Sequence, residues 1–204
     1  MRLVLLKISL LSLFLYAIPA WGADFIPAIT NYTVKDYRGG HQNWACAQGD
    51  DGVMYFGNNN GLLVYDGFSW ELYKVPGGYI VRSVFVDKDK VYIGSFEEFG
   101  YFSRGVTGKM EYHSLSEQLK DEITPNDEIW HIVRLGEKIY FQSFTCWYAF
   151  DGKNVSSMNR KTGIRPLYFY TCHKRVYAQM IDGGFYEFDG NRFHLLLDRV
   201  AVGN

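Results

Sequence analysis

Two adjacent carboxylates, Glu97 and Glu98, are the first residues in this chain whose types invite a chemical reading. Glycosidic cleavage takes two carboxyl groups facing each other across the scissile bond. Neighbouring residues of an extended strand point to opposite faces, so this pair does not supply that geometry. His41, His113, His131, His173 and His194 are scattered, outside any HExxH or nucleophile-elbow context. Ser156-Ser157 has no flanking elbow glycines. Cys46, Cys146 and Cys172 match no zinc spacing and read as small apolar residues of packed inner strands. Their odd number leaves at least one thiol outside any intramolecular disulfide. Asp-Gly pairs at 66–67, 151–152 and 189–190 place carboxylates regularly, but without EF-hand or nonapeptide calcium spacing. They read as turns, where Gly accepts positive φ and Asp caps its own backbone. The expectation is a chain with no catalytic residue, no metal and no cofactor.

What positions any site must then be read from the repeats. Four segments share one pattern: VMYFGNNNGLLVYDG (53–67), KVYIGSFEEFGYFSRG (90–105), KIYFQSFTCWYAFDG (138–152) and RVYAQMIDGGFYEFDG (175–190). Their aligned tyrosines, Tyr55, Tyr92, Tyr140 and Tyr177, stand 37, 48 and 37 residues apart. A period near forty residues containing only β-type runs is the mark of propeller blades. Within each period the runs and turn signals predict four strands, the innermost first. The reading is therefore all-β: a β-propeller of four four-stranded blades, at about 41–75, 79–116, 128–160 and 166–200. The longer middle spacing comes from the polar stretch 116–127, read as an outer loop with one helical turn ahead of Pro125. A lone blade cannot bury both faces, so four blades in an open arc leave two apolar faces uncovered.

In such a fold the loops joining second to third strands share a rim with the segments leading into the inner strands. That rim gathers Asn58, Asn59, Glu97, Glu98, Trp147 and Asp182 from the first set and His131 from the second. Amides and carboxylates pair with hydroxyls, and aromatic rings stack on apolar sugar faces, so these are the candidate ligand-binding residues. Trp44, Trp70 and Trp130 fall within strands and are expected to pack blades.

The N-terminal 22 residues read as a secretory signal peptide. Arg2 and Lys7 supply the charged region, Ile8–Ile18 a short apolar core, and Ala20-Trp21-Gly22 the small residues around a cleavage site. The apolar core is shorter than the ~20 residues of a comfortable span. Residues 23–204 are then the propeller region, periplasmic or secreted. The formal net charge of −1 carries no basic patch of the kind that displaces counterions from nucleic acid. Contact with a membrane is expected only through the signal sequence or a helix encoded downstream.

The stretch NWACAQGDDGVMYFGNNNGLLVYDGFSWELY (43–73) resembles the repeats of the bacterial two-component regulator propeller family. The resemblance rests on Trp44, the turn Gln48–Gly52, and Gly61-Leu62-Leu63-Val64-Tyr65-Asp66-Gly67-Phe68-Ser69-Trp70. It is partial in the third and fourth repeats. The second repeat departs from it, with Ser103-Arg104-Gly105 in place of Asp-Gly. It implies the periplasmic sensor region of a membrane-linked receptor, with a histidine kinase or helix-turn-helix output. It further implies rings of about seven blades, of which this chain would be an incomplete, fragmentary part. A glycan or another small periplasmic ligand is the implied partner, and self-association of open arcs the alternative one. Different classes of function to weigh against it are a secreted propeller-fold enzyme acting on polysaccharides and a protein-interaction scaffold.

Overall fold

The structure is a computed structural model that describes residues 27–119, 122–158, 164–181 and 183–198. The expected signal peptide, 1–22, lies outside the described residues. The chain divides into two units, Met1–Asn31 and Tyr32–Asn204. Of the first, residues 27–31 are described; they are exposed and irregular. No helix among the described residues is long and apolar enough to cross a membrane.

Among its described residues the second unit holds a short helix, α1 (Val34–Tyr37), and sixteen strands in four sheets. Blade 1 is β1 (Asn43–Gln48), β2 (Met54–Asn58), β3 (Gly61–Tyr65) and β4 (Trp70–Tyr73). Blade 2 is β5 (Ser83–Asp87), β6 (Lys90–Gly94), β7 (Phe99–Arg104) and β8 (Met110–Ser114). Blade 3 is β9 (His131–Leu135), β10 (Lys138–Gln142), β11 (Trp147–Phe150) and β12 (Val155–Ser157). Blade 4 is β13 (Pro166–Cys172), β14 (Arg175–Met180), β15 (Phe185–Phe188) and β16 (Phe193–Leu197). Every sheet is an antiparallel meander in chain order. A 3-10 turn, Ser116–Leu119, occupies the start of the long inter-blade loop.

The third turn of each blade shows how local chemistry sets the meander. Asp66 Oδ1 accepts from the Phe68 and Ser69 amides at 2.8 and 2.6 Å. Asp151 does the same for Lys153 and Asn154, and Asp189 for Asn191 and Arg192. Gly67, Gly152 and Gly190 follow with φ of 92°, 97° and 99°, where a Cβ is strained. The Asp-Gly pairs are thus turn formers. In blade 2, Arg104 takes a different course and donates to Gly108 O.

Three cores lie between successive blades. Tyr55, Leu62 and Val64 of blade 1 meet Val91, Ile93 and Phe102 of blade 2. Tyr92 and Phe99 of blade 2 meet Ile139, Phe141, Tyr148 and Phe150 of blade 3. Tyr140, Trp147 and Ala149 of blade 3 meet Phe169, Val176, Ala178 and Phe188 of blade 4. Strand alternation explains the pattern. Tyr55, Tyr92 and Tyr140 face the next blade, and the residues on either side of Tyr92, Tyr140 and Tyr177 face the previous one.

The far face of blade 1 is not bare, contrary to the open-arc expectation. Tyr32 and Tyr37, flanking α1, pack on Trp70 at ring-centroid distances of 5.3 and 5.6 Å. Phe56 and Tyr65 complete that aromatic cluster. The cysteine expectation also needs correcting. Cys46 and Cys172 are exposed, Cys146 is half-buried, and all three are free thiols. Alternation places Cys46 beside Phe56 and Cys172 on the face of Tyr170, on the outward sides of the first and last of these sheets rather than between sheets.

Burial of the blade tyrosines has a titratable consequence. Burial, with Asp87 nearby, pushes the Tyr92 hydroxyl up to about 12 from an ordinary 10.0. Burial also raises Tyr112, whose hydroxyl donates to Glu98, and Tyr148. An unfolded tyrosine loses its proton near 10.0 while folded Tyr92 keeps it, so the unfolded state binds fewer protons in between. The stability contributed by neutral Tyr92 is complete below pH 10 and is lost as pH rises through about 12. The urea midpoint should therefore fall between pH 10 and 12, and Tyr92→Phe should make that fall shallower. A midpoint independent of pH over this window would contradict the assignment.

Candidate functional site

The inner strands lie side by side, so residues at equivalent positions of successive blades become neighbours. Trp44 is the second residue of β1, Arg82 immediately precedes β5, and Trp130 immediately precedes β9. The Arg82 guanidinium carbon sits 3.9 Å from the Trp44 ring centroid and 4.9 Å from that of Trp130. The two indoles meet edge-on at 6.1 Å. Phe144, in the β10–β11 connection, stacks on Trp130 at 5.6 Å. The Trp44 indole N–H donates to Asn59 Oδ1 at 2.7 Å, which fixes the ring plane.

Arg82 is held from below. Its Nε and Nη2 donate to Glu128 Oε1 at 3.0 and 2.8 Å, and the pair is largely buried. Its Nη1 is buried without a hydrogen-bond partner and lies within the aromatic surround. The positive charge is thus met by one carboxylate and by two indole faces, each cation–π contact contributing about 0.5–2 kcal/mol. Loops from two blades brace this arrangement. The Glu97 amide donates to Asp127 O, and the Ile129 amide to Ser95 O. Asp127 accepts from the Ser143 and Thr145 hydroxyls. Above the braced Arg82, Trp44 is 38% exposed and Phe144 42% exposed, so a shelf of aromatic faces is open to solvent.

The expected rim residues divide among different roles. Asn59 belongs to this shelf through its bond to Trp44. Asn58, one residue away, is buried; its amide group ties Gly40, Gln42, Asn43 and Asn60 together. Trp147 is buried between blades 3 and 4 and its N–H donates to Ile164 O, so it does not reach the rim. It is the first residue of β11, and its place in the strand alternation turns it into the core. Glu98 accepts from the Tyr112 and Ser114 hydroxyls. Glu97 has a left-handed φ of 50° and accepts from the Asn126 amide. These two glutamates line a shallow pocket of about 320 Å³ with Ser116, Glu117, Ile123 and Pro125. His131 is half-buried against the Tyr168 ring at 4.6 Å, and burial lowers its pKa, which favours the neutral imidazole. Asp182 lies outside the described residues.

Trp44, Trp130 and Arg82 were not singled out as ligand-facing by the sequence. The available signal was position: all three fall at the loop end of an inner strand, where alternation no longer directs a side chain between sheets. Trp70, by contrast, packs as expected.

No family model matches the sequence. No curated protein matches it either. Solved structures do resemble the fold. The extracellular domain assigned to the hybrid two-component system BT3049 of B. thetaiotaomicron superposes with a TM-score of 0.62 at 12% identity, over 82% of this chain and 26% of that one. The corresponding domain of BT4673 from the same organism gives 0.54 at 16%, over 75% of this chain and 21% of that one. The WD40 propeller domain of Doa1 gives 0.52 at 12%, over 75% and 52%. At these identities the likeness shows the fold, and the chain is a β-propeller region of four blades. It spans about a fifth to a quarter of the length of the two B. thetaiotaomicron domains it resembles.

Proposed function

We propose that this chain is the ligand-sensing propeller region of an exported, membrane-linked bacterial signalling receptor, and that it acts without catalysis. The observation that carries the reading is the aromatic cluster around the braced Arg82, in which Trp44 and Phe144 are exposed and Trp130 is half-buried. Flat aromatic faces bordered by the polar groups of Asn59 and Glu128 suit a ligand with apolar ring faces and hydroxyl edges. A glycan is such a ligand, and it is also what the family resemblance of residues 43–73 implies. The similarity in fold to extracellular two-component system domains supports an exported sensor. The adjacent carboxylates Glu97 and Glu98 are engaged with Asn126, Tyr112 and Ser114. A sensor needs only to bind: a ligand shifts the receptor by its differential affinity for two arrangements.

The test is a tryptophan-fluorescence titration of the chain with a panel of soluble oligosaccharides. At least one should perturb the emission saturably. Trp44→Ala and Trp130→Ala should each weaken it by tenfold or more, as loss of about 1.4 kcal/mol of stacking implies. Binding that survives both substitutions places the ligand elsewhere. Turnover of any sugar in the panel replaces the sensor reading with the enzyme one.

A further inference from the structure

At the rim opposite the aromatic shelf, the interface between blades 1 and 2 lacks the ion pair that closes the next interface. Between blades 2 and 3, Arg134 of β9 donates to Asp87 of β5. Strand register identifies the counterparts one blade earlier. Arg134 pairs with Ile139, next to Tyr140, and Val86 pairs with Val91, next to Tyr92, so Val86 stands in the place of Arg134. Asp87 lies two residues beyond Phe85, the partner of Tyr92, and Gly49 lies two beyond Ala47, the partner of Tyr55. Gly49 therefore stands in the place of Asp87. A Cβ there would lie 3.5 Å from the Tyr55 ring, so the side chain that glycine omits would have faced blade 2. With glycine and valine at these two places, a cleft of about 470 Å³ remains. Small-ligand sites run to ~300–1,000 Å³.

The cleft has an apolar floor and a mouth that carries both signs of charge. Tyr55, Val91 and Met110 are buried beneath it, beside Val86. Asp50 and Asp51 border it from the β1–β2 turn, Lys88 and Asp89 from the β5–β6 turn, and Arg104 from the end of β7. No salt bridge joins any of these five side chains to another among the described residues, so opposite charges face one space unpaired. The Tyr55 hydroxyl lies within reach of both signs: burial and the Asp51 carboxylate raise its pKa, and the Arg104 guanidinium lowers it.

We propose that this cleft is a second binding site, separate from the shelf, for a small zwitterion: a free α-amino acid with an apolar side chain. The ligand carboxylate meets Arg104 and Lys88, its ammonium meets Asp51 and Asp89, and its side chain covers Val86, Val91 and Met110. Both ends then form charge-assisted hydrogen bonds, the stronger kind. A ligand of one charge leaves the other sign unmet, and a neutral one leaves both. The site stands whatever the shelf binds, because the two occupy opposite ends of the strands.

The experiment is a calorimetric titration of the 204-residue chain with L-leucine. Binding should be saturable. Isoamylamine, which is L-leucine without its carboxylate, and 4-methylpentanoate, which lacks the ammonium, should each bind at least tenfold more weakly. Arg104→Gln and Asp89→Asn should each weaken L-leucine at least tenfold. Gly49→Asp combined with Val86→Arg rebuilds in this cleft the pair that Asp87 and Arg134 make in the next one. That double variant should lose L-leucine binding while its melting temperature holds or rises. No binding of L-leucine overturns the proposal. So does isoamylamine binding as tightly as L-leucine, since the cleft is then a site for cations alone. Should the double variant fail to fold, Arg104→Gln and Asp89→Asn decide, both being changes to exposed side chains. Undiminished binding in both overturns the proposal, and a tenfold loss in each supports it.

Discussion

Trp147→Ala should lose about 3–5 kcal/mol of folding stability, the range for truncating a large buried aromatic. The side chain has no exposed surface. Its ring lies 5.4–5.8 Å from those of Phe188, Phe169, Phe193 and Tyr140, so it bridges two sheets. Its N–H also satisfies the Ile164 carbonyl at 3.0 Å. Alanine would open a void bordered by four aromatic rings on two sheets, and rigid rings of this kind collapse into space only in part. Trp147→Phe should recover most of the loss, leaving about 0.5–1.5 kcal/mol for the missing hydrogen bond. Urea unfolding of the three proteins measures both steps. A loss below about 1 kcal/mol for the alanine variant, at unchanged m-value, would show that blades 3 and 4 are not held together through this residue.

Asn58→Ala should cost about 2–4 kcal/mol by a different route, through unmade hydrogen bonds rather than lost volume. The Asn58 side chain is buried and works with both ends. Its oxygen accepts from the Gly40 and Asn60 amides at 2.6 and 3.0 Å. Its amide nitrogen donates to Gly40 O, Gln42 O and Asn43 Oδ1 at 2.9, 3.1 and 2.6 Å. Removing it strands buried backbone groups of the segment that leads into β1. Asn58→Asp retains the acceptor but sets a negative charge against three oxygen acceptors. It should be at least as unstable as the alanine variant at pH 7 and recover as the pH is lowered, when a protonated carboxyl can donate. Because the same segment carries Trp44, either variant should also blunt any ligand-induced fluorescence change. Denaturant midpoints at pH 7 and pH 4 separate these outcomes. An alanine variant as stable as the parent would mean that water replaces the clamp.

The residues that disagree with the sequence reading share a cause. Trp147 and Trp44 are both indoles near the loop end of a blade, and the sequence reading placed Trp147 on the rim and Trp44 in blade packing. Asn58 and Asn59 are consecutive amides in one turn. In each pair one member serves the fold and the other the exposed shelf. A shift of one residue in a strand moves a side chain from one face to the other, and at a strand's last residue it decides between core and rim.

The sequence by itself determined the four blades, the order of their strands and the chemistry of their turns. These are local matters: alternation within strands, Asp accepting from the amides two and three residues on, and Gly at positive φ. The tertiary structure alone decided which aromatic residues are buried, that residues 32–37 cover blade 1, and that Trp44, Arg82 and Trp130 converge. Those outcomes depend on the side-by-side packing of inner strands from different blades. Residues some forty positions apart come within 5 Å there, at distances set by sheet-to-sheet packing rather than by anything encoded in their immediate neighbours.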